Sequence, residues 1–189
     1  MNDEELIQSF YNGDREALGL IFERHKEGVF NFALRMLSNR ADAEDITGDV
    51  FGRLCGSHGR FSPNASFKTW LYTIARNACL DKIRGRRKWG SLWFRDQETQ
   101  EDVQADVPSH DAGPSENLDK REAARHIQAA IQKLATDQRE AIILREYEGL
   151  SYEEIATILG CSLANVKVLI YRARVQLKDN IPAFIKEGR

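Results

Sequence analysis

The residues best suited to chemistry in this chain of 189 residues are two groups of basic side chains. One group lies in residues 67–88, FKTWLYTIARNACLDKIRGRRK, where lysines and arginines are mixed with Trp70 and Tyr72. The other lies in residues 160–178, which hold four basic residues and no acidic one. Lysine and arginine side chains bind the phosphates of a nucleic-acid backbone, and aromatic rings stack on unpaired bases. Both groups therefore indicate binding of nucleic acid.

Charge is divided unevenly along the chain, although the whole sequence has a net charge of −2. Residues 60–90 carry eight basic residues and one acidic residue, and residues 120–189 also have a basic excess. Residues 1–59 and 91–119 are acidic. Because local surfaces decide phosphate binding, the sequence pI near 6.1 does not argue against a polyanionic partner.

The residue patterns of catalytic sites do not occur in the sequence. It has no P-loop, no His and Cys residues at metal-binding spacing, and no nucleophile elbow. Cys55, Cys79 and Cys161 are far apart and the four histidines are scattered, so we expect no metal, no cofactor and no disulfide framework. An enzymatic function is therefore not expected.

The sequence also argues against a membrane location. No apolar run reaches about 18 residues, so membrane insertion is not expected. The first residues, MNDEELIQSF, are acidic and lack the pattern of a signal peptide. We expect a cytoplasmic protein.

Apolar residues at helical spacing predict an all-α fold of two small helical domains, residues 1–92 and 119–189. In the first domain we expect a short helix over 6–11, a second that Asp14 caps and that runs to about Leu37, a third from near Ala41, and a long fourth from Ser66 to about Arg87. Residues 93–118, rich in acids and containing Pro108, Gly113 and Pro114, predict a flexible acidic linker. The alternative for this segment is a solvated spacer whose only role is to connect the two domains.

Residues 151–177 predict a helix-turn-helix, the C-terminal part of the second domain. Ser151 and Glu154 form a capping box, Gly160 suits a left-handed turn, and Ser162 can cap the next helix. Further upstream, Asp137 and Glu140 are placed as a variant capping box for a helix over residues 137–147. The alternative for 151–177 is an ordinary helical hairpin with a solvated basic face.

The second helix of a helix-turn-helix places its N-terminal residues in the major groove, and its later basic residues suit phosphate. The candidate DNA-binding residues of this helix and its cap are Ser162, Leu163, Ala164, Asn165, Lys167, Val168, Tyr171, Arg172 and Arg174.

In the basic helix, Asn77 has the donor and acceptor needed to read a base edge. Trp70, at helical spacing, is more often a core residue than a stacking platform. The run from Arg84 to Lys88 indicates a polyanionic partner, because like charges at a helix end repel one another without one.

Three segments, in this order, resemble the sigma-70 family of bacterial RNA polymerase sigma factors, in particular its small extracytoplasmic-function (ECF) group. Residues 42–51, DAEDITGDVF, are similar to the segment that binds core polymerase. Residues 67–88 are similar to the helix that recognises the −10 promoter element. Residues 144–174, LREYEGLSYEEIATILGCSLANVKVLIYRAR, are similar to the helix-turn-helix that recognises the −35 element.

The resemblance implies a transcription initiation factor that binds core RNA polymerase and promoter DNA. It assigns polymerase binding to one acidic helix, with Asp42, Glu44, Asp45, Ile46, Asp49, Val50 and Arg53. It assigns −10 recognition to a loop and the basic helix after it, with Arg60, Phe61, Asn64, Lys68, Trp70, Arg76, Asn77, Lys82, Arg84, Arg86 and Arg87. It also implies control by an anti-sigma factor, and we expect a monomer when the chain is free of partners.

One position departs from the family pattern, because many relatives have a Ser-Arg pair where this chain has Val168 and Leu169. The −35 sequence of other members therefore does not carry over. A stand-alone helix-turn-helix regulator, which binds an operator without polymerase, is the main alternative. That alternative explains residues 120–189 and leaves the acidic 41–55 segment and the basic 67–88 helix without a role.

Overall fold

The computed structural model describes residues 1–56, 61, 66–93 and 114–181, without the side chains of residues 87–93 and 114–121. The described residues form eight α-helices and no strand, which confirms the all-α fold. In chain order the helices are α1 (Asp3–Tyr11), α2 (Arg15–Leu37), α3 (Arg40–Cys55), α4 (Phe67–Trp93), α5 (Pro114–Gln132), α6 (Thr136–Glu146), α7 (Tyr152–Leu159) and α8 (Leu163–Asn180). We call α1–α4 the N-terminal unit and α5–α8 the C-terminal unit.

Most of the expected linker, 93–118, lies outside the described residues. The helices on both sides of it differ from expectation. Helix α4 continues past Arg87 to Trp93, and α5 begins at Pro114, inside the segment expected to be linker. Proline is common at the first helical position, because its missing N–H has no partner there in any case.

Side-chain caps start the helices of the N-terminal unit. Asp14 accepts hydrogen bonds from two N–H groups of the first turn of α2, at 3.0 and 3.4 Å, as predicted. The Ser66 hydroxyl accepts one from the Thr69 N–H at 3.2 Å, also as predicted. Helix α3 begins at Arg40, where Asn39 accepts a hydrogen bond from the Asp42 N–H at 2.9 Å. Each cap satisfies N–H groups that the helix itself cannot pair.

The core of the N-terminal unit holds buried residues of all four helices, and one part of it lies between α2 and α4. Phe32 and Tyr72 are buried there and meet edge to face, with ring centroids 5.5 Å apart. A Cβ added at Gly28 would lie 2.6 Å from the Tyr72 hydroxyl oxygen. Helix α2 therefore approaches Tyr72 closely because position 28 has no side chain.

Helices α7 and α8 form the predicted helix-turn-helix and are bent by 99° relative to each other. Gly160 ends α7 in the left-handed conformation, with φ of +65°, where a residue with a Cβ would be strained. Ser151 and Glu154 form the predicted capping box at the start of α7. Ser162 caps α8 by accepting a hydrogen bond from the Asn165 N–H at 3.2 Å. The turn chemistry of this segment therefore matches the sequence prediction.

Replacing Ser151 with alanine is expected to lower the free energy of unfolding by about 1 kcal/mol, the usual cost of losing an N-cap hydroxyl. The hydroxyl accepts a hydrogen bond from the Glu154 N–H at 3.1 Å, and alanine cannot replace it. Urea denaturation of the two proteins measures the difference. Thr157→Ala is the control, because it removes an exposed hydroxyl inside the same helix, where alanine is a better helix former. Equal midpoints for Ser151→Ala and the wild type would contradict the assigned cap.

In the described part of the chain, no single helix is both long and apolar enough to cross a membrane. Within the same residues, no group of three or more His, Cys, Asp and Glu side chains is placed to hold a metal ion. Cys55, Cys79 and Cys161 are free thiols.

Candidate nucleic-acid interface

Helix α8 has one buried side and one exposed side. Val166, Leu169, Ile170 and Ala173 are buried against the rest of the C-terminal unit. All nine residues selected from the sequence, from Ser162 to Arg174, are exposed. The N-terminal half of α8 is therefore free to contact a partner.

The basic residues of α8 differ in their surroundings. The Arg174 guanidinium pairs with the Glu146 carboxylate of α6, with an Nη2–Oε1 distance of 2.6 Å. A hydrogen bond to Glu146 raises the pKa of Arg174. Both side chains are about half exposed, so the pair contributes at most about 1 kcal/mol. Lys167 and Arg172 are exposed and have no ion pair with any residue that the structure describes.

Phe61, expected beside the −10 element, is instead a core residue. It is 5% exposed, and its ring lies 6.0 Å from that of Phe67 and 5.5 Å from that of Trp70. These two neighbours enclose the Phe61 ring in this conformation, and its part in −10 binding stays a prediction. Trp70 is half-buried at the edge of the same cluster. Arg60, Asn64 and the side chain of Arg87 lie outside the described residues.

Two basic residues of α4 that were expected to face DNA contact the C-terminal unit. The Lys68 ammonium donates a hydrogen bond to the backbone carbonyl of Glu148. The Arg76 guanidinium donates one to the Glu140 carboxylate, with an Nε–Oε2 distance of 2.9 Å. Beside them, the Tyr72 hydroxyl donates to the Glu148 carboxylate. In this conformation, one edge of α4 is covered by the loop after α6 and by α7, whose Glu154 accepts a hydrogen bond from Ser66 at 3.1 Å.

Glu140 corrects a second expectation. It is only 1% exposed and takes no part in a cap, since α6 begins at Thr136 after Ala135 without any side-chain cap hydrogen bond. Burial raises the pKa of Glu140, and the nearby Arg76 guanidinium partly opposes that rise. Its carboxylate is thus the anionic partner of Arg76 across the two units.

Further polar contacts join the units at the C-terminal end of α2. Gln128 donates a hydrogen bond to the Ser38 hydroxyl at 2.8 Å, and Arg139 donates one to the Met36 carbonyl at 2.9 Å. The Arg35 guanidinium lies over the Tyr147 ring, 3.8 Å from its centroid. These contacts are not evident from the sequence, because the partners lie about 90 to 110 residues apart in the chain.

Two further basic residues of α4, Lys82 and Arg86, pair with carboxylates of the acidic helix α3. Asn77, Arg84 and Arg86 are exposed, and Lys82 is half-buried. The Lys82 ammonium lies 2.9 Å from the Asp42 carboxylate and 3.4 Å from that of Asp45. Hydrogen bonding to Asp42 is the main reason that the pKa of Lys82 is raised.

The residues expected to bind polymerase fall into two sets. Glu44, Asp45, Asp49 and Arg53 are exposed on α3 and form an acidic face, which we call the α3 face. Asp42 was expected to be exposed, but its side chain is only 14% exposed and lies between Lys82 and Arg86. Ile46 and Val50 are 3% and 0% exposed, so they pack α3 onto the core and offer no surface to a partner.

The helix-turn-helix with its exposed basic side, joined to a unit where an acidic helix borders a basic one, defines an all-helical, two-unit DNA-binding protein. The family model "Sigma-70 region 2" matches residues 21–89, and "Sigma-70, region 4" matches residues 124–177. The chain belongs to the sigma-70 family and is an RNA polymerase sigma factor of the extracytoplasmic-function (ECF) group.

Three curated relatives match along almost their whole length. The RNA polymerase sigma-H factor of Pseudomonas aeruginosa is 30% identical, over 98% of this chain and 97% of the relative. The ECF RNA polymerase sigma-E factor of Escherichia coli is 31% identical over the same shares of the two chains. The RNA polymerase sigma factor CarQ of Myxococcus xanthus is 32% identical, over 92% of this chain and 94% of the relative.

Two solved structures share the fold. The sigma factor RpoE of Bartonella quintana, crystallised with the anti-sigma factor NepR, is 26% identical with a TM-score of 0.68, and covers 90% of this chain and 98% of its own. CnrH, solved with the cytosolic domain of CnrY, has the same TM-score at 24% identity and covers 99% of each chain.

Proposed function

We propose that the chain binds core RNA polymerase and directs it to promoters that carry particular −10 and −35 elements. The observation that carries the proposal is the presence of both sigma-70 regions, in family order, in one chain. Sigma factors are initiation factors and not enzymes, so the polymerase supplies the catalysis. The site of action is the cytoplasm, where the polymerase works.

In this proposal α8 recognises the −35 element. Its exposed N-terminal residues lie in the major groove, with Asn165 reading a base edge. Arg172, about two turns further along, holds backbone phosphate. Arg174 is less suited to phosphate, because Glu146 already pairs with it.

Recognition of the −10 element is proposed for α4 and the loop before it. Asn77 and Arg84 are exposed and available, and Arg86 is exposed but pairs with Asp42. Lys68 and Arg76 contact the C-terminal unit instead. A phosphate can reach Arg76 only after the Glu140 carboxylate has left it. The proposal therefore requires the two units to separate before the whole −10 surface binds DNA.

Polymerase binding is proposed for the α3 face. Its exposed carboxylates, Glu44, Asp45 and Asp49, suit a basic partner surface. Ile46 and Val50 are buried and hold α3 against the core, which positions the α3 face.

An anti-sigma protein is proposed to control the chain. The Bartonella quintana sigma factor of the same fold was crystallised with such a protein. The similarity to that sigma factor supports control of this kind, and free of partners the chain is proposed to be a monomer.

Transcription of genomic fragments by core polymerase, with and without the purified chain, tests this role. We expect new start sites only when the chain is present, and alignment upstream of them yields the −10 and −35 elements. The same start sites with and without the chain would contradict the proposal.

Arg172→Ala is expected to weaken holoenzyme binding about equally on all −35 sequences, because a phosphate contact carries no sequence information. Asn165→Ala is expected to change the sequence preference instead, by about 1–3 kcal/mol at one base pair. Binding of both holoenzymes to a set of single-base −35 variants separates the two effects. The same uniform loss for both substitutions would show that these roles are wrongly divided.

A further inference from the structure

The exposed side of α8 has an apolar stripe along its centre. Ala164, Val168, Tyr171 and Val175 are spaced by four, three and four residues, so they lie on one line of the helix. This line lies opposite the buried residues Val166, Leu169, Ile170 and Ala173. The valines at 168 and 175 are 42% and 45% exposed, and Tyr171 is 69% exposed. Exposed apolar residues in line, rather than scattered singly, indicate a contact surface.

Charge around the stripe identifies its occupant as a polyanion. Lys167 lies along one side of the stripe, next to Arg174, which Glu146 pairs, and Arg172 lies along the other. No acidic residue occurs between Gly160 and Lys178, and the N-terminus of α8 adds its partial positive charge. An apolar partner protein would not explain the basic residues on both sides of the stripe. DNA explains them, because its major groove lies between two rows of phosphates.

Within the major groove, one base offers a matching apolar group. Thymine carries a 5-methyl group there, whereas guanine, cytosine and adenine present hydrogen-bonding groups, and small apolar side chains contact that methyl. We propose that Val168, with Ala164 one turn before it, packs against thymine methyl groups of the −35 element and so determines its specificity. This inference rests on the proposed function, since it takes the −35 element as the DNA that α8 binds.

Val168 and Val175 differ in their position along α8, and only Val168 lies in the part that reaches the bases. The two residues are seven apart, which is about 10.5 Å along an α-helix. The groove is about 8.5 Å deep, and it is the N-terminal residues of a recognition helix that reach the bases. Val168 lies in this N-terminal part and Val175 beyond it, so the two valines form a matched pair for an experiment.

Deoxyuridine provides the test, because it differs from thymidine only by the missing 5-methyl group. The experiment uses holoenzyme assembled from core polymerase and the full chain, with promoter fragments recovered by transcription of genomic DNA. Each thymine of the −35 element, on either strand, is replaced singly by deoxyuridine. At one or two positions we expect binding to weaken about fourfold, as for loss of one buried methyl group.

In the Val168→Ala holoenzyme, the loss caused by deoxyuridine should disappear at one of those positions, and a second position that Ala164 contacts should keep it. In the Val175→Ala holoenzyme every loss should remain as in the wild type. Deoxyuridine without effect at every position, or losses that persist at all positions in Val168→Ala, would overturn the inference while leaving the proposed function intact. A −35 element of G·C pairs alone would also overturn it. Failure to form a holoenzyme that initiates at promoters would instead refute the proposed function itself.

Discussion

In the Arg76→Glu variant, the two units of the free chain are expected to separate. The substitution removes the partner of Glu140, which is 1% exposed, and places a second carboxylate opposite it. Removing one partner of a buried ion pair typically destabilises the packed state by about 3–5 kcal/mol, because the other charge stays buried without a partner. Arg76 itself is 21% exposed, so we expect the lower end of that range. Because each 1.4 kcal/mol changes an equilibrium constant tenfold, the ratio of chains with the units in contact to chains with the units apart should fall about 100-fold.

Native cysteines provide the labels for measuring this separation. Cys55 is exposed on the N-terminal unit and Cys161 is partly exposed on the C-terminal unit. Burial raises the pKa of Cys79 to about 12, so its thiol stays unreactive. Nitroxides on Cys55 and Cys161 then report the distance between the units by pulsed electron paramagnetic resonance.

The wild type should give a narrow distance distribution, and Arg76→Glu a broad and longer one. Arg84→Glu is the matched control, because it makes the same change of charge on the same helix at a side chain that is 73% exposed. The control distribution should stay narrow. An unchanged distribution in Arg76→Glu would contradict the role of this ion pair in holding the units together.

Reversal of charge on the α3 face is expected to weaken binding to core polymerase strongly. The double variant Asp45→Lys and Asp49→Lys should bind core polymerase at least about 100-fold more weakly, because like charges placed across an interface cost several kcal/mol. Both side chains are exposed, and the only ion pair lost among the described residues is the surface contact of Asp45 with Lys82 at 3.4 Å, worth at most about 1 kcal/mol, so the variant should keep the wild-type fold. Titration of fluorescently labelled chain with core polymerase measures the affinity.

The matched control for this reversal is Glu23→Lys with Glu27→Lys. These residues are also exposed, also four apart on one helix, and give the same change in net charge. The control lies on α2, outside the α3 face, and should bind polymerase within about threefold of the wild type at physiological salt, where exposed charges more than about 8 Å apart are largely screened. Equal weakening in both variants would mean that overall charge, and not the α3 face, governs binding.

Local features of the fold were predictable from the sequence, because their causes lie within a few residues. The cap at Ser151, the left-handed turn at Gly160 and the cap at Ser162 each depend on the chemistry of one residue and the next turn. The buried side of α8 also followed from helical spacing, with Val166 and Ala173 inside. The exposed candidates on α8 are the remaining positions of the same helix.

Features that depend on tertiary contacts were not predictable in this way. The spacing of Asp137 and Glu140 suggested a cap, whereas Glu140 is buried against Arg76, a residue 64 positions away. Phe61 has a residue type and a position suited to stacking on a base, yet Phe67 and Trp70 enclose it. Asp42 belongs to an acidic segment, but the fold places it between Lys82 and Arg86. In each case a partner distant in sequence decides the role of the side chain.

Association with core RNA polymerase tests the central claim most directly. Purified chain and bacterial core polymerase are mixed, passed through a size-exclusion column, and assayed for initiation on promoter fragments. We predict co-elution of the chain with the polymerase and initiation that depends on the chain. No co-elution, together with tight binding of the chain alone to an operator, would contradict a sigma factor and indicate a stand-alone regulator.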